Sequence, residues 1–217
     1  MNNLDLWSKV EKTDLDFVKK VNQRGGYTAI SPQYQLREAT KQFGAYGKGF
    51  GLSVSDFDYA LFESTGTVIH KAEFFYLLDG EKITFPISNC IQAKGAKFFD
   101  TDFAKKVETN TVSKALSKIG FNADVYMGMF ENDDYLFELN NEQTTEKAAN
   151  KEEELTKQKT ARFEETNKVI EQINSSSMIG EVEGLFKAHF RRIAKHEEEL
   201  KIALTKAKDE AKERLSD

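Results

Sequence analysis

Basic and aromatic side chains alternate between residues 24 and 54, and together they could bind a nucleic acid. Positive charges can neutralise phosphates, aromatic rings can stack on bases, and glycine lets the backbone approach a strand closely. The segment contains one acid, Glu38, and we select as candidate DNA contacts Arg24, Arg37, Lys41, Phe43, Tyr46 and Lys48. The alternative is structural: the glycines form a helix-to-strand turn, and Phe43 and Phe50 belong to a core.

Lysines recur in a second stretch, between residues 94 and 118. The candidate DNA contacts here are Lys94, Lys97, Lys105, Lys106, Lys114 and Lys118, against the acids Asp100, Asp102 and Glu108. A helix face of lysine, asparagine and serine is commonly plain solvated surface, but it could also line a groove for a sugar–phosphate backbone. If both basic stretches flank one sheet, they predict a continuous groove.

The residue types that catalysis requires do not form a recognisable group. The chain lacks the GxxxxGK[ST] motif that binds nucleotide phosphates, which argues against an ATP-driven recombinase or helicase. His189 and His196 are seven residues apart without a further ligand, so we expect no metal site and no cofactor. The acidic pairs lie at predicted turns or strand ends, where turn formation accounts for their presence. A small metal-dependent nuclease that uses these carboxylates is a minor alternative. These pairs are Asp56/Asp58, Asp100/Asp102 and Asp133/Asp134. We therefore predict a protein that is not an enzyme and has no catalytic residues.

The overall charge argues against nucleic-acid binding at first sight. The 217 residues include 31 Lys and Arg against 36 Asp and Glu, a formal net charge of -5, whereas nucleic-acid-binding domains are commonly basic. Residues 1–140 contain 16 basic and 19 acidic side chains, so a positive surface must be local. The single cysteine, Cys90, excludes a disulfide scaffold, and no stretch approaches the roughly 20 apolar residues of a membrane helix. We expect a cytoplasmic protein with no membrane partner.

Three helices are predicted around the two basic stretches. Apolar residues at roughly helical spacing predict a helix within residues 4–21. Ser31-Pro32 predicts the start of a second helix, which ends at Gly44. A third helix over about residues 101–119 ends at Gly120 and carries most of the second lysine stretch.

Three strands are predicted between the second and third helices. Alternation and β-branched or aromatic residues mark residues 50–63, 67–78 and 82–93, and Asp79-Gly80 is a typical hairpin turn between the last two. Pro86 places the third strand at an edge or an irregularity of the sheet. The predicted fold class is α+β, with a three-stranded antiparallel meander, a β-β-β-α core, packed on helices.

The composition changes near residue 140, where a polar tract without aromatic residues begins. We interpret residues 1–139 as one domain and residues 140–150 as a linker, since such a tract cannot bury enough apolar area to offset its ordering entropy. The Lys/Glu/Ala-rich residues 151–217 predict a C-terminal helical hairpin, with helices over about 151–173 and 180–215. This hairpin either braces an oligomer or docks a partner through Leu185, Phe186, Phe190 and Ile193.

The order of these elements resembles the core of the single-strand annealing proteins. That family includes phage recombinases of the Sak type and the eukaryotic annealing protein Rad fifty-two. The resemblance rests on Phe43-Gly44 and Gly49-Phe50, then on Lys114-Ala115-Leu116 with Ile119-Gly120, and it covers about residues 30–128. Lys114 falls on a position that is basic in the family, whereas Ser117 stands where relatives can carry a second basic residue. Lys118 is displaced from that position by one residue, a rotation of about 100° on a helix.

The resemblance implies a non-enzymatic recombinase that binds single-stranded DNA in a basic groove and anneals complementary strands without ATP. It further implies a homo-oligomer, a ring or a filament, acting in the cytoplasm of a bacterial host. The C-terminal helices would recruit the host single-strand-binding protein or a phage exonuclease. The alternative from another class is an oligomeric adaptor without DNA activity.

Overall fold

The computed structural model describes residues 4–22, 25–194 and 197–216, and the chain divides into two compact units, Met1–Met129 and Phe130–Asp217. The first unit contains α1 Asp5–Val10, β1 Val18–Val21, β2 Tyr27–Ile30, α2 Pro32–Phe43, β3 Phe50–Asp58, α3 Phe62–Thr65, β4 Thr67–Leu78, β5 Glu81–Gln92, β6 Lys94–Gly95, β7 Phe98–Phe99, α4 Phe103–Lys118 and α5 Ala123–Tyr126. The second unit contains α6 Asp133–Lys147, α7 Lys151–Ser175, α8 Ile179–Phe190 and α9 Glu198–Arg214.

The predicted meander is confirmed as a three-stranded antiparallel sheet in the order β3-β4-β5. β4 and β5 pair from Thr67↔Gln92 to Leu78↔Glu81 across the Asp79-Gly80 turn, where both residues have positive φ, 53° and 84°. A glycine fits the second of these positions because it lacks the Cβ that penalises positive φ. β3 pairs with β4 from Phe50↔Tyr76 to Asp58↔Ile69, with an irregularity between Leu52 and Val54. Pro86 lies in β5, an edge strand of this sheet, as predicted.

The core of the first unit lies between one face of the sheet and the helices α2 and α4. Alternate residues of β4 point toward the helices, and Val68, His70, Ala72, Phe74 and Tyr76 are buried. α4 contributes a buried stripe that includes Val107, Thr111, Ala115 and Leu116. The observed limits of α2 and α4 confirm the second and third predicted helices to within two residues. The lysines of α4 are therefore carried by a helix whose other side is fixed in the core.

The first predicted helix, over residues 4–21, is corrected by the structure. α1 ends at Val10, and Val18–Val21 instead forms β1, which pairs with β2. The backbone N–H of Thr13, which would continue a helix, donates to the Asp124 carboxylate at 2.8 Å. The Asp14 side chain then accepts from the N–H of Asp16 and starts a separate 3₁₀ turn. A contact with a residue more than a hundred positions away thus ends the helix early.

The second unit is a set of contacting helices, and it corrects two predictions. Residues 140–147 of the predicted linker are helical and belong to α6, so only three residues separate α6 from α7. Asn132 and Asn150 cap these helices by accepting backbone N–H groups, and Gln158 of α7 donates to the Thr145 hydroxyl of α6 at 3.1 Å. Polar contacts thus order a segment whose apolar content is low. The helix predicted over 180–215 is interrupted between Phe190 and Glu198.

The apolar residues that we selected for partner docking lie mainly against the core of this second unit. Ile193 is buried with Ile173, Val182 and Leu204, and three partly buried residues pack against this cluster: Leu185, Phe186 and Phe190. Ion pairing reinforces the unit, since the guanidinium of Arg162 donates to both carboxylate oxygens of Glu197 at 2.9–3.1 Å. The large apolar side chains that are exposed in the described part of this unit are instead Leu155, Phe163, Met178, Ile179 and Ile202. Across the described ranges 4–22, 25–194 and 197–216, none of the helices combines the length and apolar content needed to cross a bilayer.

Candidate nucleic-acid interface

The basic side chains of α2 are engaged by neighbouring groups. Glu38 accepts from Arg37 Nε at 3.0 Å and from Lys41 Nζ at 2.8 Å. The Arg37 guanidinium also lies 4.5 Å from the centre of the Phe17 ring and 5.3 Å from that of Tyr34. One carboxylate thus offsets one of two positive charges, and Arg37 is held over rings of its own chain.

Phe43 belongs to the core, as the structural alternative predicted. It is 7% exposed, and its ring centre lies 5.1 Å from that of Tyr76 and 5.8 Å from that of Phe121. No ring face is left for a base to stack on, which removes Phe43 from the candidate DNA contacts. Arg24 lies outside the described residues.

Tyr46 and Lys48 lie on the turn between α2 and β3, and both are exposed. The Tyr46 ring is perpendicular to that of Phe50, with 5.3 Å between ring centres, and Tyr46 is 47% exposed. Partial burial raises the pKa of the Tyr46 hydroxyl, and the nearby Glu108 carboxylate raises it further. Lys48 forms no ion pair with any carboxylate of the described residues, so its charge remains available to a phosphate.

A cleft of about 320 Å³ separates the start of α2 from one side of α4. Its lining includes Gln33, Tyr46, Lys105 and Glu108. Lys105 has no ion pair within the described part of the chain, but Glu108 supplies a negative charge to the same cleft. The cleft therefore has no net positive charge with which to attract phosphates.

The last two lysines of α4 lie on a different side of that helix. Lys114 follows Lys105 by nine residues, which at 100° per residue places it half a turn away. A second cleft of about 500 Å³, here named the β5 cleft, is lined by Lys71, Ala72, Pro86, Ile87, Ser88, Lys114 and Lys118. The prediction of one continuous groove is corrected accordingly, because the helix separates the two clefts.

The β5 cleft has an excess of positive charge. Lys71 pairs with Asp58 at 2.6 Å, whereas Lys114 and Lys118 form no ion pair with a described carboxylate. The ammonium of Lys114 donates to the backbone carbonyl of Ser88 at 3.0 Å. By covering a backbone carbonyl of the edge strand β5, Lys114 of α4 also has a structural role available, because a charge there discourages pairing with another strand. Three lysines against one aspartate leave two positive charges in this cleft.

The remaining lysines of the second stretch differ in their surroundings. Lys106 pairs with Asp100 at 2.8 Å, and this hydrogen bond lowers the pKa of Asp100 and raises that of Lys106. Lys94 lies over the Phe62 ring at 5.6 Å from its centre. Lys97 is exposed in the turn between β6 and β7. Lys106 is thus the least available of the six lysines, because it already has a carboxylate partner.

The acidic pairs that suggested a nuclease do not form a metal-binding group. Asp58 and Asp100 are each paired with a lysine. Within residues 4–22, 25–194 and 197–216, no three side chains of His, Cys, Asp or Glu are placed to hold a metal ion.

A buried polar group at His70 was not predicted from the sequence. His70 is fully buried, with Nδ1 2.8 Å from the Thr111 hydroxyl and Nε2 2.9 Å from the Ser55 hydroxyl. Thr111 donates its own proton to the Val107 carbonyl, so it accepts from Nδ1–H, and Ser55 donates to Nε2. Burial lowers the pKa of His70. The alternation of β4 would have placed His70 on the buried face, which is the signal that could have found this group.

The division into units also changes the charge count. Residues 1–129 contain 16 Lys and Arg against 15 Asp and Glu, a formal net charge of +1, so the acidity of the chain lies in residues 130–217. The unit that carries the β5 cleft is therefore not acidic overall.

The chain matches no protein-family model and no curated protein.

Proposed function

We propose that this protein binds single-stranded DNA and anneals complementary strands without ATP, as a homo-oligomer. The observation that supports this best is the β5 cleft, where Lys114 and Lys118 lie beside Lys71 with no partner of their own among the carboxylates that the structure describes. The resemblance to single-strand annealing proteins includes Lys114, and it supplies the annealing activity that the cleft alone would not suggest.

The proposed mechanism requires no bond to be formed or broken. Phosphates displace the Lys114 ammonium from the Ser88 carbonyl and contact Lys118, while the bases remain exposed to a second strand. Two unpaired lysines per subunit hold a strand weakly, so a long tract needs several copies. Weak individual contacts also let a strand shift until its bases find their complements.

The second unit is proposed to recruit a host single-strand-binding protein or a phage exonuclease. The interface would use the exposed side chains Leu155, Phe163 and Ile202 rather than the residues first selected, since those pack on the core.

The test mixes labelled complementary oligonucleotides with the full chain, without ATP or divalent metal, and repeats the reaction with residues 1–129. Both proteins should accelerate annealing of bare strands, and only the full chain should anneal strands coated with a single-strand-binding protein. Failure of the full chain to bind DNA would favour the oligomeric adaptor. Strand degradation that depends on added metal would favour the nuclease. Loss of both activities in residues 1–129 would contradict a recruiting role for the second unit.

A further inference from the structure

The cleft between α2 and α4, here named the α2–α4 cleft, combines an apolar lining with a small number of polar groups. The apolar part of its lining comprises Pro32, Leu36, Val112 and Leu116. Val112 and Leu116 belong to the core and Leu36 packs against it, so the fold itself fixes these walls. The volume of about 320 Å³ lies near the lower limit of roughly 300–1,000 Å³ for small-molecule sites. The cleft therefore has room for one small ligand.

A chain of buried hydrogen bonds fixes the orientation of the Gln35 side chain, and Gln35 lines the cleft. Gln35 and Asn122 are each 2% exposed, and Thr13 is fully buried. The chain starts at the Asp124 carboxylate, which only accepts hydrogen bonds. The Thr13 hydroxyl donates to this carboxylate and therefore accepts from Asn122 Nδ2, at 2.9 Å. Asn122 Oδ1 is then the acceptor for Gln35 Nε2, at 3.0 Å.

The other end of the Gln35 amide is an acceptor without a donor. Among the described residues no group donates to Gln35 Oε1, and this oxygen is not sealed off from solvent. Because Gln35 lines the α2–α4 cleft, its oxygen is within reach of a molecule bound there. An acceptor that loses water without gaining a donor costs free energy, so the cleft favours a ligand with an N–H or O–H group.

Two opposite charges lie on α4 beside the cleft. Lys105 and Glu108 both line it, both are exposed, and they are three residues apart on neighbouring positions of the helix surface. Neither forms an ion pair within the described part of the chain. A ligand carboxylate can contact Lys105 while a ligand ammonium contacts Glu108. A small zwitterion matches this pair of charges, whereas a nucleic-acid strand would bring phosphates close to Glu108.

We propose that the α2–α4 cleft binds a free α-amino acid whose aromatic side chain carries a hydrogen-bond donor, tryptophan or tyrosine. The ligand ring lies among the apolar residues and beside the Tyr46 ring, which also lines the cleft. Its N–H or O–H donates to Gln35 Oε1, and its carboxylate and ammonium contact Lys105 and Glu108. This small-molecule site lies beyond the proposed function and does not depend on it.

The test is isothermal titration calorimetry of the full chain with two pairs of ligands that differ in the donor. L-Tryptophan should bind about 5- to 150-fold more tightly than 1-methyl-L-tryptophan, which leaves Gln35 Oε1 unpaired. L-Tyrosine should exceed L-phenylalanine by a similar factor, and phenylalanine is the smaller of the two, so steric exclusion cannot produce that difference. Ligand pairs are preferable to a Gln35 variant, because Gln35→Met would also leave Asn122 Oδ1 without its donor.

The two charges are tested separately on both sides of the contact. N-acetyl-L-tryptophan lacks the ammonium and L-tryptophan amide lacks the carboxylate, and each should bind about 2- to 5-fold more weakly than L-tryptophan, since the partner side chains are exposed. Glu108→Gln and Lys105→Gln should each weaken L-tryptophan binding by the same range. Lys106→Gln is the matched control, because Lys106 is the next residue on α4, is paired with Asp100 and does not line the cleft.

Absence of binding of both tryptophan and tyrosine at millimolar concentration would overturn the inference. Equal affinity within both ligand pairs would do the same, because it would remove the hydrogen bond to Gln35. Unchanged binding by Glu108→Gln and Lys105→Gln, or an equal loss in Lys106→Gln, would exclude the zwitterion contact and overturn the assignment to a free amino acid.

Discussion

Replacing Lys114 and Lys118 together with alanine should lower the salt dependence of single-strand binding. These lysines face the β5 cleft without a carboxylate partner among the described residues, so their charges are available to phosphates. Each phosphate contact on a single strand contributes about 0.7 to the slope of log affinity against log salt, so two contacts contribute about 1.4. Raising the salt fourfold, from about 50 to about 200 mM, should then cost the wild-type protein about sevenfold more affinity than the variant.

The assay is fluorescence anisotropy with a labelled oligonucleotide at several salt concentrations. The matched control is Lys41→Ala with Lys106→Ala, which removes the same net charge from lysines already paired with Glu38 and Asp100. Folding should not confound the result, because the Ser88 carbonyl that Lys114 releases lies at an exposed sheet edge and can be hydrated. An unchanged slope in the Lys114 and Lys118 variant, or an equal loss in the control, would refute the assignment of the β5 cleft.

Two further predictions concern stability. Burial lowers the pKa of His70 and of His189. As the pH falls below about 6.5, the ordinary pKa of histidine, these side chains therefore take up protons in the unfolded chain but not in the folded chain. Stability should fall between pH 7 and 5 by at most about 1.4 kcal/mol per pH unit per histidine, and thermal melts of His70→Gln should show a smaller decrease. Arg162→Met removes the guanidinium that donates to the buried Glu197 carboxylate and should cost about 1.5–3 kcal/mol in urea denaturation. Adding Glu197→Leu should restore most of that loss, and a double variant as unstable as the single one would contradict the ion-pair explanation.

The sequence predicts the elements whose signals are local. Alternation identifies β3, β4 and β5, Asp79-Gly80 identifies the turn between the last two, and Gly44 ends α2 where expected. The prediction of the first helix is wrong because the end of that helix depends on the Asp124 carboxylate, which accepts hydrogen bonds from Thr13, 111 residues away in sequence. Helical spacing of apolar residues does not reveal such a contact.

In the second unit too, contacts between polar residues form structure that the sequence pattern does not predict. The interruption between α8 and α9 contains Glu197, whose partner Arg162 lies on α7. The polar tract that predicts a linker is helical because caps and the bond between Gln158 and Thr145 satisfy its polar groups. Composition measures the apolar area that a segment can bury, but it does not measure this satisfaction of polar groups.

Only part of the candidate site can be predicted from the sequence. The half-turn between Lys105 and Lys114 follows from helical geometry, so the division of the lysines between two sides of α4 was predictable. The pairing of Lys106 with Asp100 and the burial of Phe43 required the tertiary structure.

The distribution of charge bears on why a protein of this kind would need to assemble. Residues 1–129 have a formal net charge of only +1, and the β5 cleft concentrates two uncompensated lysines within it. A slope contribution of about 1.4 per subunit is small beside that of proteins making six to ten phosphate contacts. Under the proposed function, one copy holds a strand only weakly at physiological salt, whereas several copies on one strand add their contacts. Because each copy contributes little, any single subunit can release its phosphates without releasing the strand, and this local release is what a search for complementary bases requires.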